Sequence, residues 1–230
     1  MKQGTFIPQN WKSQVVGEGT PFPFLVVDNW YNEEEEKKVW KELDFYSSQD
    51  RDDTERAETS IVARHKDGTS KSKAFRYYFD TWYNDIGHNK SHINNFIYKF
   101  QTPEFHKMLE PCVPYSRSFH VTNRTSSLVS YYEENDHYES HFDSFTWTCL
   151  IWYFKEPKQF KGGDFSFPES EYTVKLKHNR MVMFPCCYLH NVSPVKFITP
   201  PKETGLGRYT ITHFHYCVPS NQGLPPNENK

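Results

Sequence analysis

The chain lacks the marks of several protein classes. It has only five cysteines in 230 residues. Their number is odd, and Cys112, Cys149, Cys186, Cys187 and Cys217 include no CxxC pair. Neither a disulfide framework nor a structural zinc site is implied. Three of them lie in apolar, strand-like runs, where buried free thiols are expected. The formal net charge is −2 and the pI about 6.6, so no basic surface for nucleic acid is implied. No apolar run reaches the length of a bilayer. The opening MKQGTFIPQNWKSQ has no apolar core of signal-peptide length. These absences predict a cytoplasmic, reducing setting with no membrane or nucleic-acid partner. No internal repeat is present.

Aromatic residues are abundant instead, at 17% of the chain with 19 Phe and 15 Tyr. That favours strands and packed sheet faces. At this length one domain with a sizeable core is expected. Residues 1–21 read as an arm or loop, and Phe24–Val27 as a buried strand. A helix follows, with Asn32 as N-cap, Glu35 completing a capping box, and Glu33–Glu36 at the positive end of the dipole. Its apolar stripe is Val39, Trp40 and Leu43. Asp50–Ser72 is charged and irregular. Phe75–Phe79 reads as a strand, Ile93–Phe100 as a helix capped by Ser91, and Phe105–Leu109 as a short helix.

From about Pro114 short strand-like runs follow in quick succession. They are Ser118–Val121, Ser127–Tyr132, Phe142–Phe154, Asp164–Phe167, Tyr172–Leu176, Met181–Phe184 and Arg208–Cys217. Their spacing predicts a sandwich or barrel, with a jelly roll as one natural solution.

The stretch LVSYYEENDHYESHFD, Leu128–Asp143, ends on His141-Phe142-Asp143. In an extended chain residues two apart share a face, so an imidazole and a carboxylate stand side by side. With His190, which follows another apolar run, they make two histidines and one carboxylate, the ligand set of a non-haem Fe(II) facial triad. A second HxD, His65-Lys66-Asp67, precedes Gly68 in a charged stretch and reads as an exposed turn. His213 and His215 are also two apart. If Arg208 faces inward, however, so do Thr210, Thr212 and Phe214, while Tyr209, Ile211, His213 and His215 pack on the other face. The bland readings of the remaining candidates are packing for Cys186-Cys187, a turn role for His137, and core positions on opposite faces for Trp147 and Trp152.

Taken together, residues from about Ser127 to Tyr216 resemble the prolyl-hydroxylase branch of the Fe(II)/2-oxoglutarate-dependent dioxygenases. Tyr132, a turn, Tyr138 and His141-Phe142-Asp143 come first. Tyr153-Phe154-Lys155, the Gly162-Gly163-Asp164-Phe165 turn and Arg180 follow. His190-Asn191-Val192-Ser193-Pro194 and Arg208-Tyr209-Thr210-Ile211-Thr212 complete the order. The chain departs from the pattern in having Asn135-Asp136 where a turn glycine is usual. It also has a longer segment between His190 and Arg208, and Phe at 165.

The resemblance implies a mainly β fold with supporting helices, built on a double-stranded β-helix (jelly-roll, cupin-like) core. The core would run over 116–218, with 1–115 as an α/β supporting segment of the same domain and 219–230 as a polar tail. It implies Fe(II) on His141, Asp143 and His190. It also implies 2-oxoglutarate held by Arg208 with Tyr132, Tyr153 and Thr212 around it, O2 as oxidant, and ascorbate as accessory reductant. The implied reaction is hydroxylation of an unactivated C–H, of a prolyl residue in a peptide or protein, or alternatively of a free amino acid or other small molecule. Asp143 argues against a halogenase, whose lineage lacks that carboxylate. A non-catalytic jelly-roll binding module and a hydrolytic zinc site are the rival readings. Asp50–Ser72 and Lys196–Gly205 are candidate substrate-covering loops.

Overall fold

The computed structural model describes residues 10–49 and 62–219. Residues 1–9 of the 1–21 arm, residues 50–61 of the charged stretch and residues 220–230 of the polar tail lie outside the described residues. Two antiparallel sheets face each other. In chain order the strands are β1 (Lys12–Val16), β2 (Phe24–Asp28), β3 (Ser72–Lys73), β4 (Phe75–Tyr78), β5 (Arg124–Tyr132), β6 (His137–His141) and β7 (Trp147–Tyr153). They continue with β8 (Phe160–Gly162), β9 (Phe165–Phe167), β10 (Tyr172–Val174), β11 (Arg180–Pro185), β12 (His190–Val192), β13 (Val195–Phe197) and β14 (Arg208–Tyr216). The major sheet has the order β1-β2-β11-β7-β14-β5-β4, and the minor sheet β10-β9-β12-β6-β3. β8 and β13 form a separate two-stranded pair. This is a jelly-roll core, and the supporting segment contributes β1, β2, β3 and β4 to its sheets.

The helices are α1 (Glu33–Ser47), α2 (Phe79–Trp82), α3 (His92–Asn95), α4 (Pro103–Leu109) and α5 (Ser116–Phe119). The capping box at Asn32 and Glu35 is formed as expected. Three expectations need correction. Lys12–Val16 is not loop but the edge strand β1, paired along its length with β2. Ser118–Val121 is not a strand, because Ser116–Phe119 closes a helical turn. The helix expected over Ile93–Phe100 breaks at Phe96 into α3 and a 3-10 turn, Ile97–Gln101. The apolar spacing that suggested one helix survives that break, since Ile93 and Phe100 are both buried.

The major sheet buries both faces. Its outer face packs on the helices, through Tyr131, Trp147, Ile151, Tyr153, Tyr209 and Ile211 against Leu43, Tyr46, Phe79, Phe105 and Phe119. Beneath α1 the Glu42 carboxylate is fully used, accepting from the hydroxyls of Tyr46, Tyr83 and Ser91 and from the Ile93 amide. The inner face and the minor sheet enclose a second cluster that includes Trp152, Phe165, Phe184 and Val192.

His213 and His215 lie on the outer face, against Phe100. Their Nδ1 atoms meet Ser127 Oγ at 2.8 Å and Thr125 Oγ1 at 3.1 Å. Burial, and for His213 also the neighbouring His215, holds both imidazoles down to about 3. The unfolded chain therefore takes up protons between about 6.5 and 3 that the folded chain refuses. Stability is fully present above about 6.5 and falls as pH drops, by up to about 1.4 kcal/mol per pH unit for each histidine. The expected result is a urea midpoint that falls steadily from pH 7 to pH 4.5, less steeply in His215→Gln. A midpoint flat over that range contradicts this.

Candidate active site

Residues of both sheets line a cavity of about 520 Å³, within the range of small-molecule sites. His141 and His190 enter it from the minor sheet as directly paired residues of β6 and β12. Asp143 follows β6 as the chain crosses to the major sheet. Its amide donates to Cys186 O at 3.3 Å and its Oδ2 accepts from Thr148 Oγ1 at 2.5 Å. One ligand atom from each of the three residues lies within 4.8 Å of the others. Asp143 Oδ1 is 3.6 Å from His141 Nε2, and Oδ2 is 3.4 Å from His190 Nε2.

The donor set fits a divalent metal. His141 Nδ1 donates to Glu139 O at 2.8 Å and His190 Nδ1 to Tyr188 O at 2.9 Å. A carbonyl only accepts, so each Nδ1 carries the proton and each Nε2 turns a lone pair toward Asp143. Burial, then the neighbouring His190, pulls His141 down to about 3, leaving a neutral ring. Tyr138 stacks on that ring with centroids 3.5 Å apart, which fixes its plane.

Arg208 lies deeper in the same cavity and is fully buried. Its Nη1 donates to Thr210 Oγ1 at 2.8 Å, whereas Nε and Nη2 are buried without a partner. The guanidinium rests 5.0 Å over the Tyr132 ring and 5.7 Å over that of Trp152. Burial pulls it below the ordinary guanidinium value, with Tyr132 opposing. Gly163, at φ +67°, backs it. A Cβ there would meet Arg208 Cδ at 3.0 Å and Val195 Cγ2 at 3.1 Å, so the double-glycine turn makes room for the arginine stem. A cationic fork with free donors is built to receive a carboxylate, and this cavity contains no such group within hydrogen-bond reach of those two nitrogens.

The parity reading of β14 holds, since Arg208, Thr210, Thr212 and Phe214 all line the cavity. Tyr132, the cross-strand partner of Arg208, lines it too. Tyr153 does not. It pairs with the outward-facing Tyr209 and packs among Tyr31, Trp40 and His178. Its neighbour Trp152 takes the inner face, because one residue along a strand reverses the side chain's direction. Thr212 lines the cavity four residues beyond Arg208, roughly 13 Å along the strand, so the hydroxyl beside the guanidinium is that of Thr210.

Two further residues, Thr148 and Arg76, escaped the sequence reading, and Tyr138 entered it only as a motif position. Thr148 holds Asp143, Tyr138 stacks on His141, and Arg76 on β4 lines the cavity. A lone basic residue inside Phe75-Arg76-Tyr77-Tyr78-Phe79 was the available signal for Arg76. The mouth carries Phe142, Phe145 and Phe214. Of the two loops, the described residues 62 and 63 line the cavity, and none of Lys196–Gly205 does. His65-Lys66-Asp67 forms the expected exposed turn, with Gly68 at φ +87°. Asn135 takes the left-handed conformation that the missing glycine would have supplied, at φ 65°.

A jelly roll with two histidines and an aspartate at its open end, and a buried arginine behind them, defines the class of non-haem iron oxygenases. Residues 127–216 match the sequence model of the 2OG-Fe(II) oxygenase superfamily, a segment that runs from β5 through β14 and holds every residue of the His-Asp-His cluster and Arg208. No curated protein matches the chain in sequence. Among solved structures it resembles a prolyl-4-hydroxylase of Pseudomonas putida, with a TM-score of 0.53 at 12% identity over 92% of this chain and 94% of that one. It also resembles an oxidoreductase of the 2OG-Fe(II) oxygenase family from Burkholderia pseudomallei, with a TM-score of 0.52 at 10% identity over 84% of each chain. At these identities the likeness is one of fold. Among the described residues no helix is long and apolar enough to cross a membrane.

Proposed function

We propose that His141, Asp143 and His190 hold Fe(II), that Arg208 and Thr210 receive the distal carboxylate of 2-oxoglutarate, and that the enzyme hydroxylates a prolyl unit. When bound, Fe(II) and 2-oxoglutarate supply O2 reduction coupled to decarboxylation of the oxo acid to succinate, with hydroxylation of a C–H bond. The observation that carries the reading is the buried Arg208 fork, with two nitrogens free, in one cavity with the His-Asp-His cluster. A binding module has no need of that costly arrangement.

The chain's own residues prepare the site. The carbonyls of Glu139 and Tyr188 orient the two imidazoles, and Thr148 fixes one oxygen of Asp143 so that the other is free to ligate. The aromatic mouth excludes bulk water from the reacting carbon. The Tyr132 ring lies against the Arg208 guanidinium and favours its charge. The choice of a prolyl unit draws on the likeness to the Pseudomonas prolyl-4-hydroxylase. Free thiols at all five cysteines suit a cytoplasmic setting, where ascorbate would serve as accessory reductant.

The test is succinate release from 2-oxoglutarate. The expected outcome is release that requires added Fe(II), stops with a chelator and is not restored by zinc. Metal-independent or zinc-supported turnover would favour a different chemistry.

A further inference from the structure

A second guanidinium faces the cavity. Register pairs Arg76 of β4 with Ser130 of β5, and Ser130 with Thr210 of β14. All three line the cavity, so they form one row across three strands. Arg76 therefore stands about 10 Å, two strand spacings, from the backbone of Thr210. One of its nitrogens, Nη2, donates to Ser72 Oγ. The other, Nη1, is buried with no partner. The guanidinium lies 5.1 Å over the Tyr138 ring, and Tyr138 is the ring stacked on His141. The Tyr138 ring thus contacts both the Arg76 guanidinium and the candidate metal ligand His141.

Among the described lining residues no carboxylate neutralises this cation. Asp143 is turned to the two histidines and Thr148. Asp80, also in the lining, is largely exposed, accepts from Ser126 Oγ and lies 3.6 Å from His88. Among the described residues neither forms an ion pair with Arg76. The cosubstrate leaves nothing for it either. In the proposed arrangement one carboxylate of 2-oxoglutarate meets Arg208, and the other, with the keto oxygen, faces the His-Asp-His cluster. Arg76 as a whole is half-buried, but its Nη1 is shut away from solvent; leaving a cationic donor there without a partner is costly, so the counter-charge arrives with the remaining ligand.

We infer that Arg76 binds a carboxylate of the substrate, which therefore carries its own free carboxylate close to the carbon that is hydroxylated. Such a group comes from a free amino or imino acid, or from the C-terminal residue of a peptide. A residue inside a chain has none. A single carboxylate fits better than a phosphate, because Arg76 and Arg208 are the only cationic side chains among the described lining residues, and a dianion would stay half neutralised. This inference rests on the Fe(II)/2-oxoglutarate reading of the same site.

The test is calorimetry on protein loaded with Fe(II) and 2-oxoglutarate under nitrogen, so that nothing turns over. The probes are free L-proline and other free amino acids, a peptide ending in a free proline, that peptide as its C-terminal amide, and a peptide with proline inside. The expected result is that acids bind at least ~10-fold more tightly than their amides. Arg76→Gln should remove the difference and Arg76→Lys should keep part of it. Free amino acids against the peptide acid then tell the two sources apart. Equal binding of acids and amides, failure of every acid to bind, or discrimination that persists in Arg76→Gln overturns the inference. The acid-to-amide ratio of the unaltered protein decides by itself should Arg76→Gln not fold. Titration of 2-oxoglutarate comes first. If it does not bind the metal-loaded protein, both readings fall; if it binds and acids are not preferred, only the role of Arg76 falls.

Discussion

Replacing His190 by alanine is expected to reduce 2-oxoglutarate decarboxylation ~1,000-fold or more, since among the described residues only three side chains converge on the metal position and each supplies an irreplaceable donor. Metal binding should weaken in parallel, as measured by titration of the protein with Fe(II) under nitrogen. The geometry says why no neighbour can substitute. His190 is buried, its Nδ1 is tied to Tyr188 O, and the other lining residues near Asp143 are Thr148, Ser144 and phenylalanines. Exogenous imidazole is small enough for the vacated space and should restore part of the activity. A variant that keeps full metal affinity would remove His190 from the ligand set.

Replacing Arg208 by methionine should move two observables in opposite senses. Loss of the fork removes a buried charge-assisted pair with the cosubstrate, and such truncations cost about 2–5 kcal/mol. The KM for 2-oxoglutarate should accordingly rise by roughly 30-fold to over 1,000-fold. Without cosubstrate, however, Arg208 is a fully buried cation with two unpartnered nitrogens. An apolar side chain of similar volume is expected to stabilise the ligand-free fold by about 1–4 kcal/mol. Urea denaturation should therefore find the ligand-free variant more stable than the parent, while saturating 2-oxoglutarate raises the midpoint of the parent alone. A variant that is both less stable and unchanged in KM would give Arg208 a purely structural role.

Much of this site was legible because strands convert spacing into direction. HxD put two donors on one face, and alternation along Arg208–Tyr216 sorted the inward residues from His213 and His215. The capping box of α1 was equally plain, because its partners lie three residues apart. What escaped depends on contacts between distant segments. Whether Lys12–Val16 is loop or strand is decided by β2 alone. At the end of β7 one residue decides the face: resemblance puts Tyr153 with the cosubstrate, while its pairing with Tyr209 turns it outward. Arg76 and Thr148 lie 65 residues before and 5 residues after their nearest ligands in sequence, His141 and Asp143. No local pattern links Arg76 to the site, and β4 beside β5 brings it there; Thr148 reaches back to Asp143 across the turn before β7, a contact that strand alternation does not describe.

The two-sided burial of the major sheet has a consequence for how such a chain changes over time. Along β14 the side chains of Arg208, Thr210, Thr212 and Phe214 answer to the cavity, and those of Tyr209, Ile211, His213 and His215 answer to the helical layer. Chemistry and foldedness are thus written on alternate letters of one strand. A lineage can exchange the letters of one set, and with them its substrate, while the other set keeps the scaffold standing.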